Sequence, residues 1–85
     1  MGRIMVTVKK MNGQEKKYQT SHEEAIKLLI KQVGEAEGQK KEEVALVFAG
    51  KQYHSESAET LEEIGVESGS TFFHVMRLNG GIYDQ

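Results

Sequence analysis

Val44-Ala45-Leu46-Val47-Phe48-Ala49-Gly50-Lys51-Gln52-Tyr53 is the stretch on which the fold turns. Val44–Phe48 is an apolar run long enough for a strand and too short for a helix. Gly50 breaks it, and Lys51-Gln52-Tyr53 resumes as a second short strand. Upstream, Gln39–Glu43 is a polar connection. Before it, Ile26, Leu29, Ile30 and Val33 recur at helical spacing, the mark of a helix that lays one face on a core. Leu28 falls off that stripe and is expected to be partly exposed. Gly34 or Gly38 ends the helix, because glycine accepts the left-handed cap conformation. Ser21-His22-Glu23-Glu24 matches a capping box, with Ser21 as N-cap and Glu24 at the third helical position.

Farther upstream, Ile4-Met5-Val6-Thr7-Val8-Lys9 alternates with period two, so Ile4, Val6 and Val8 share one face of a half-buried strand. Asn12-Gly13 is a tight-turn signal, since both residues tolerate positive φ. Gln14–Thr20 returns as the second strand of a hairpin, with Lys16 on the same face as Tyr18 and Thr20. Lysine there can lay its stem over apolar surface and keep its head in water, and it suits a strand at or near a sheet edge. Downstream of Tyr53, residues 54–59 are a polar loop, and Leu61, Ile64 and Val66 suit one helical turn. Ser68-Gly69-Ser70 is a turn. Thr71–Leu78 reads as the last strand, with Phe72, His74 and Met76 on one face and Phe73, Val75 and Arg77 on the other. The order strand, strand, helix, strand, short strand, helical turn, strand is an α+β layer arrangement, a mixed sheet packed on one main helix.

Composition narrows the class of function. Eighty-five residues make one domain at most. Eleven Lys+Arg against thirteen Asp+Glu give a net charge of −2, which argues against a nucleic-acid binder held by bulk charge. The absence of cysteine excludes disulfides, a thiolate nucleophile and a Cys-based zinc site. His22, His54 and His74 have no ligand-like spacing, so no metal is expected. No nucleophile–base–orienter set stands out around Ser55 and Ser57, so the chain reads as a non-enzyme. The longest apolar run, Val44–Ala49, is too short to span a bilayer, and no charged-then-apolar leader opens the sequence. His74 falls on the core side of its strand, where a buried imidazole with a hydrogen-bond partner is expected.

Leu46-Val47-Phe48-Ala49-Gly50-Lys51-Gln52 resembles the pattern Leu-Ile-Phe-Ala-Gly-Lys-Gln at the heart of the ubiquitin family, and Arg77-Leu78-Asn79-Gly80-Gly81 resembles that family's Arg-Leu-Arg-Gly-Gly. The resemblance runs without a gap from Ile4 to about Tyr53. It resumes at Thr60-Leu61 after an apparent two-residue insertion near Glu56–Ala58, and continues to Gly81. It implies the β-grasp fold, with residues 1–78 as the domain, 79–81 as a flexible Gly-Gly tail and 82–85 as an extension removed on maturation.

The resemblance also implies the functional residues. Met11, Val47 and Val75 stand where the family has its Leu-Ile-Val recognition triad, and Phe73 replaces the histidine beside it. Methionine suits a surface that adapts to several partners. Lys51 matches the most-used chain-linking lysine and Lys9 a second one, whereas Gln14, Ile30, Gln32, Ala36 and Ser68 occupy positions where the family has lysine. Arg77 and Leu78 match residues read by an activating enzyme. Asn79 and Ala45 replace basic residues of the pattern and weaken the match to the common ubiquitin-activating enzyme. Gly80 and Gly81 would carry conjugation, because two residues without Cβ can thread a narrow enzyme cleft.

The implied function is a protein modifier, processed after Gly81 and joined through its carboxylate to target lysines. Its implied partners are a processing protease, activating, conjugating and ligating enzymes, ubiquitin-binding-type domains and the targets. Neither nucleic acid nor membrane is among them. No cofactor is implied, since ATP is used by the activating enzyme. The implied location is cytoplasmic, and also nuclear. Ile82–Gln85 leaves a second reading open, a non-covalent ubiquitin-like domain of a longer protein. A Gly-Gly sulfur carrier is a third.

Overall fold

The computed structural model describes residues 3–76. In chain order its elements are β1 (Arg3–Lys10), β2 (Glu15–Ser21), α1 (Ile26–Glu37), a 3-10 turn (Lys41–Glu43), β3 (Val44–Phe48), β4 (Lys51–Tyr53), α2 (Leu61–Ile64) and β5 (Thr71–Met76). The five strands form one sheet in the order β2-β1-β5-β3-β4. β1 and β5 pair in parallel at its centre, and the other three pairings are antiparallel. This is the β-grasp arrangement expected from the sequence, and β2 lies at the edge where Lys16 placed it.

Strand alternation divides the sheet into two faces. Ile4, Val6, Val8, Tyr18, Val44, Leu46, Tyr53 and Phe72 are buried on the inner face. The stripe Ile26, Leu29, Ile30 and Val33 of α1 packs there with no exposed surface, while Leu28 is 46% exposed. Leu61 and Val66 close the core beside α2. The Phe48 and Phe72 rings lie 5.1 Å apart at 36°. Met76 shares the inner-face parity of Phe72 but sits at the strand end opposite Val44, and it is 55% exposed.

The start of α1 corrects the expected capping box. Ser21 is the last residue of β2, paired with Arg3, and its carbonyl accepts the Glu24 N–H at 3.2 Å. The Glu24 carboxylate accepts from the Thr20 hydroxyl at 3.1 Å instead of reaching a helix end. The helix begins five residues after Ser21, with Ala25 as an N-cap that has no side-chain bond. A backbone carbonyl does the capping work: Ile26 N–H donates to Glu59 O at 2.8 Å, across the isolated bridge between Ala25 and Thr60. The capping box lies at α2. There Glu63 N–H donates to the Thr60 hydroxyl at 3.1 Å and Thr60 N–H to the Glu63 carboxylate at 2.9 Å.

Gly38, at φ 70°, ends α1, and Gly34 is buried within it. A Cβ on Gly34 would stand 2.9 Å from the Gln39 carbonyl oxygen. That oxygen belongs to backbone, so the contact would have to be relieved by moving the chain that leads into β3.

Replacing Thr60 with Ala removes a true cap and should lower stability by about 1 kcal/mol, whereas Ser21→Ala should cost clearly less. Leu29→Ala should cost roughly 2–5 kcal/mol. Urea denaturation of the three variants checks the ranking, and a Ser21→Ala loss equal to that of Thr60→Ala would refute the capping assignment.

Candidate functional site: the outer face of the sheet

Among the described residues the outer face carries no helix. Register places Lys9, Phe73, Val47 and Gln52 in one row across β1, β5, β3 and β4. Ala45 and Val75 pair in the next row. Phe73 is 51% exposed, and Val47 and Val75 are half-buried. Ala45 is fully buried opposite Val75, a methyl group where the family pattern has a basic side chain.

Met11 projects from the β1–β2 turn with 84% of its surface exposed. It lines a groove of about 250 Å³ together with Lys10, Asn12, Gln39, His74, Val75 and Met76. Val75 thus belongs both to the groove and to the face bearing Val47 and Phe73. The four apolar residues singled out in the sequence therefore lie along one continuous region. Sequence reasoning missed Met76, exposed in the groove, and Met5, exposed at 43% elsewhere on the outer face. The signal for Met5 was its parity: it alternates with Ile4 and Val6.

Lys51 opens β4 after a tight turn in which Ala49 and Gly50 have φ of 54° and 81°. Its ammonium lies 3.7 Å from the Glu59 carboxylate and 5.3 Å from the Tyr53 ring centre, with 64% of the side chain exposed. An exposed pair of this kind contributes little stability, so the amine is chemically accessible. Lys9 is more enclosed, half-buried beside Phe73. Arg77, Leu78, Gly80 and Gly81, with the tail and extension boundaries, lie outside the described residues.

Beneath the groove is a charged junction. Glu37, near the C-terminal end of α1, accepts from Lys10 Nζ at 2.9 Å and from Lys16 Nζ at 3.0 Å. The hydrogen bonds from these two ammonium groups hold its carboxyl below the ordinary 4.5, and the same bond raises Lys16. His74 sits on β5 between Lys10 of β1 and Leu46 of β3, with 8% of its surface exposed. Its expected hydrogen-bond partner is not found among the described residues. Burial lowers its pKa below the ordinary 6.5, with Lys10 acting in the same direction and Glu37 opposing. The imidazole in the groove lining is therefore harder to protonate than a free one.

The family model for the ubiquitin family matches residues 6–79. The chain belongs to the ubiquitin family. A comparison with curated proteins found no match. The matched span includes the apolar outer row, Lys51 and Arg77, and stops just short of Gly80 and Gly81. Among the described residues no helix is long and apolar enough to cross a membrane.

His74 and Glu37 act in separate pH windows. His74 is depressed in the folded state, so the unfolded chain takes up its proton first. Its contribution is fully present above about pH 6.5 and declines as pH falls through the folded value. Glu37 is also depressed, so its contribution is present above about pH 4.5 and is lost as pH falls through its own folded value. Denaturation at a series of pH values should show His74→Leu flattening the slope below about pH 6.5, and Glu37→Gln flattening the limb below about pH 4.5. A His74→Leu curve parallel to the unmodified protein would contradict the buried, hard-to-protonate imidazole.

Proposed function

We propose that this ubiquitin-family domain is a covalent protein modifier. It would be cut after Gly81, activated there and joined to lysines of other proteins. The observation that supports this best is the apolar row of Phe73 and Val47, continuous through Val75 with Met11, on the helix-free face of a strand that leads toward Gly80-Gly81. An uncovered apolar region of this kind is the usual mark of a protein–protein contact surface.

The chemistry belongs to the partner enzymes, and the chain is their substrate. The freed Gly81 carboxylate attacks the α-phosphorus of ATP and pyrophosphate leaves. An enzyme thiolate then displaces AMP to give a thioester. A lysine amine finally displaces that thiol to form the isopeptide bond, releasing its extra proton to a base. Arg77 and Leu78 would be read during activation; arginine's planar fork of donors suits acidic readers. Two glycines let the backbone adopt whatever φ a narrow cleft imposes. If chains form, Lys51 is the better placed acceptor and Lys9 the second. The protein would act in the cytoplasm and nucleus, without a cofactor of its own.

The four residues Ile82–Gln85 beyond the glycines favour one other reading, a non-covalent binding domain that is never cut. Epitope-tagged protein in the cells that make it separates the two. The modifier reading expects higher-mass adducts that survive denaturing purification and vanish when residues 80–85 are deleted. An identical single band with and without Gly80-Gly81 would overturn it.

A further inference from the structure

On the side of the molecule away from the outer sheet face, α1 presents a second surface. Leu28 projects from the first turn of the helix with 46% of its surface exposed. Around it a cleft of about 240 Å³ is lined by Lys27 and Lys31 of α1, Lys41 of the 3-10 turn and Ser55 of the β4–α2 loop. The cleft is smaller than an ordinary cofactor or drug-sized site, and is of a size for one side chain.

The charged residues that line the cleft are all basic. The whole chain carries a net charge of −2, yet three lysines line this cleft. None of the three makes an ion pair or side-chain hydrogen bond among the described residues, whereas Lys10, Lys16 and Lys51 each have a carboxylate partner. Lys27 stands in the first turn of a twelve-residue helix that has no acidic residue there. The helix dipole is positive at that end, so a cation there costs stability and adds to the positive potential. The arrangement opposes local stability and favours an anionic visitor.

We propose that the cleft formed by Lys27, Leu28, Lys31, Lys41 and Ser55 is a docking site for an acidic peptide segment of a partner protein, with one aliphatic side chain of that segment seated on Leu28. Carboxylates on either side of the anchor pair with the three lysines, and the Ser55 hydroxyl is available to the peptide backbone. The apolar centre selects a peptide over a bare phosphate polymer, because Leu28 offers nothing to a phosphate. Among the described residues no aromatic side chain lines the cleft on which a nucleic-acid base could stack. The site is separate from the outer sheet row, so both surfaces can be occupied at once.

The test is an NMR titration of the isotope-labelled full chain with the capped peptide Glu-Asp-Glu-Leu-Asp-Glu-Asp. Amide shifts should concentrate at Lys27, Leu28, Lys31, Lys41 and Ser55 and saturate. Raising salt from about 50 mM to about 300 mM should weaken binding, as screening demands. Replacing the peptide's Leu by Ser, or introducing Lys27→Glu with Lys31→Glu, should each weaken it at least about tenfold. The charge-reversed variant should melt no lower than the unmodified protein, since acids suit a helix N-terminal turn; Lys27→Gln with Lys31→Gln gives the same reading if it does not fold. Val47→Ala should bind the peptide unchanged, which separates this surface from the conjugation reading. The proposal is overturned by shifts scattered over the molecule or located on the outer sheet face, by no saturable shift, by equal binding of the Ser peptide, or by a single-stranded oligonucleotide binding these lysines more tightly than the peptide.

Discussion

Parallel pairing of β1 with β5 joins the first described strand to the last, and the remainder of the described fold is arranged around that pair. A parallel pair cannot be closed by a short turn, so residues 11–70 must form the crossover. Thr7 N–H donates to Ser70 O at 2.9 Å and Gly69 N–H donates to Met5 O at 2.7 Å, which fixes where β5 begins against β1. With that register set, Phe72 faces inward beside Val8 and Phe73 outward beside Lys9. The helix covers only the inner face, because its apolar stripe is one-sided. The outer row is left uncovered by the helix as a geometric consequence.

Most of this arrangement was legible in the sequence because it rests on periodicity. The period-two run from Ile4 to Lys9, the stripe from Ile26 to Val33 and the short apolar run at Val44 each have one sensible burial pattern. The ends of α1 were less legible. Ser21 and Glu24 have the right chemistry for a capping box, but strand pairing of Ser21 with Arg3 and the long-range bond from Ile26 to Glu59 won instead. Such a bond spans residues far apart in the chain and leaves no local signal. Thr60 and Glu63 had the same local signature and did form the box, so the motif alone does not say which copy is used.

His74 shows a similar limit. Its burial followed from strand parity, but the lack of a hydrogen-bond partner among the described residues depends on what the neighbouring elements bring. They bring Lys10, Leu46 and, nearby, Glu37 engaged with two lysines. Of the candidate site, Met11, Val47, Phe73 and Val75 were accessible to sequence reasoning through resemblance, and the structure places them in one region. The grouping of Lys27, Lys31 and Lys41 with Leu28 in one cleft was not, because it joins a helix face to two loops.

One sheet has two faces, the inner packed into the core and the outer free for the recognition proposed above. Phe72 and Phe73 are adjacent in sequence, identical in chemistry and on opposite faces. Thermal denaturation of Phe72→Ala and Phe73→Ala side by side is the most direct test. The inner substitution should cost about 3–5 kcal/mol, and the outer one should stay within about 1 kcal/mol of the unmodified protein. Equal losses from both would contradict the division of the sheet.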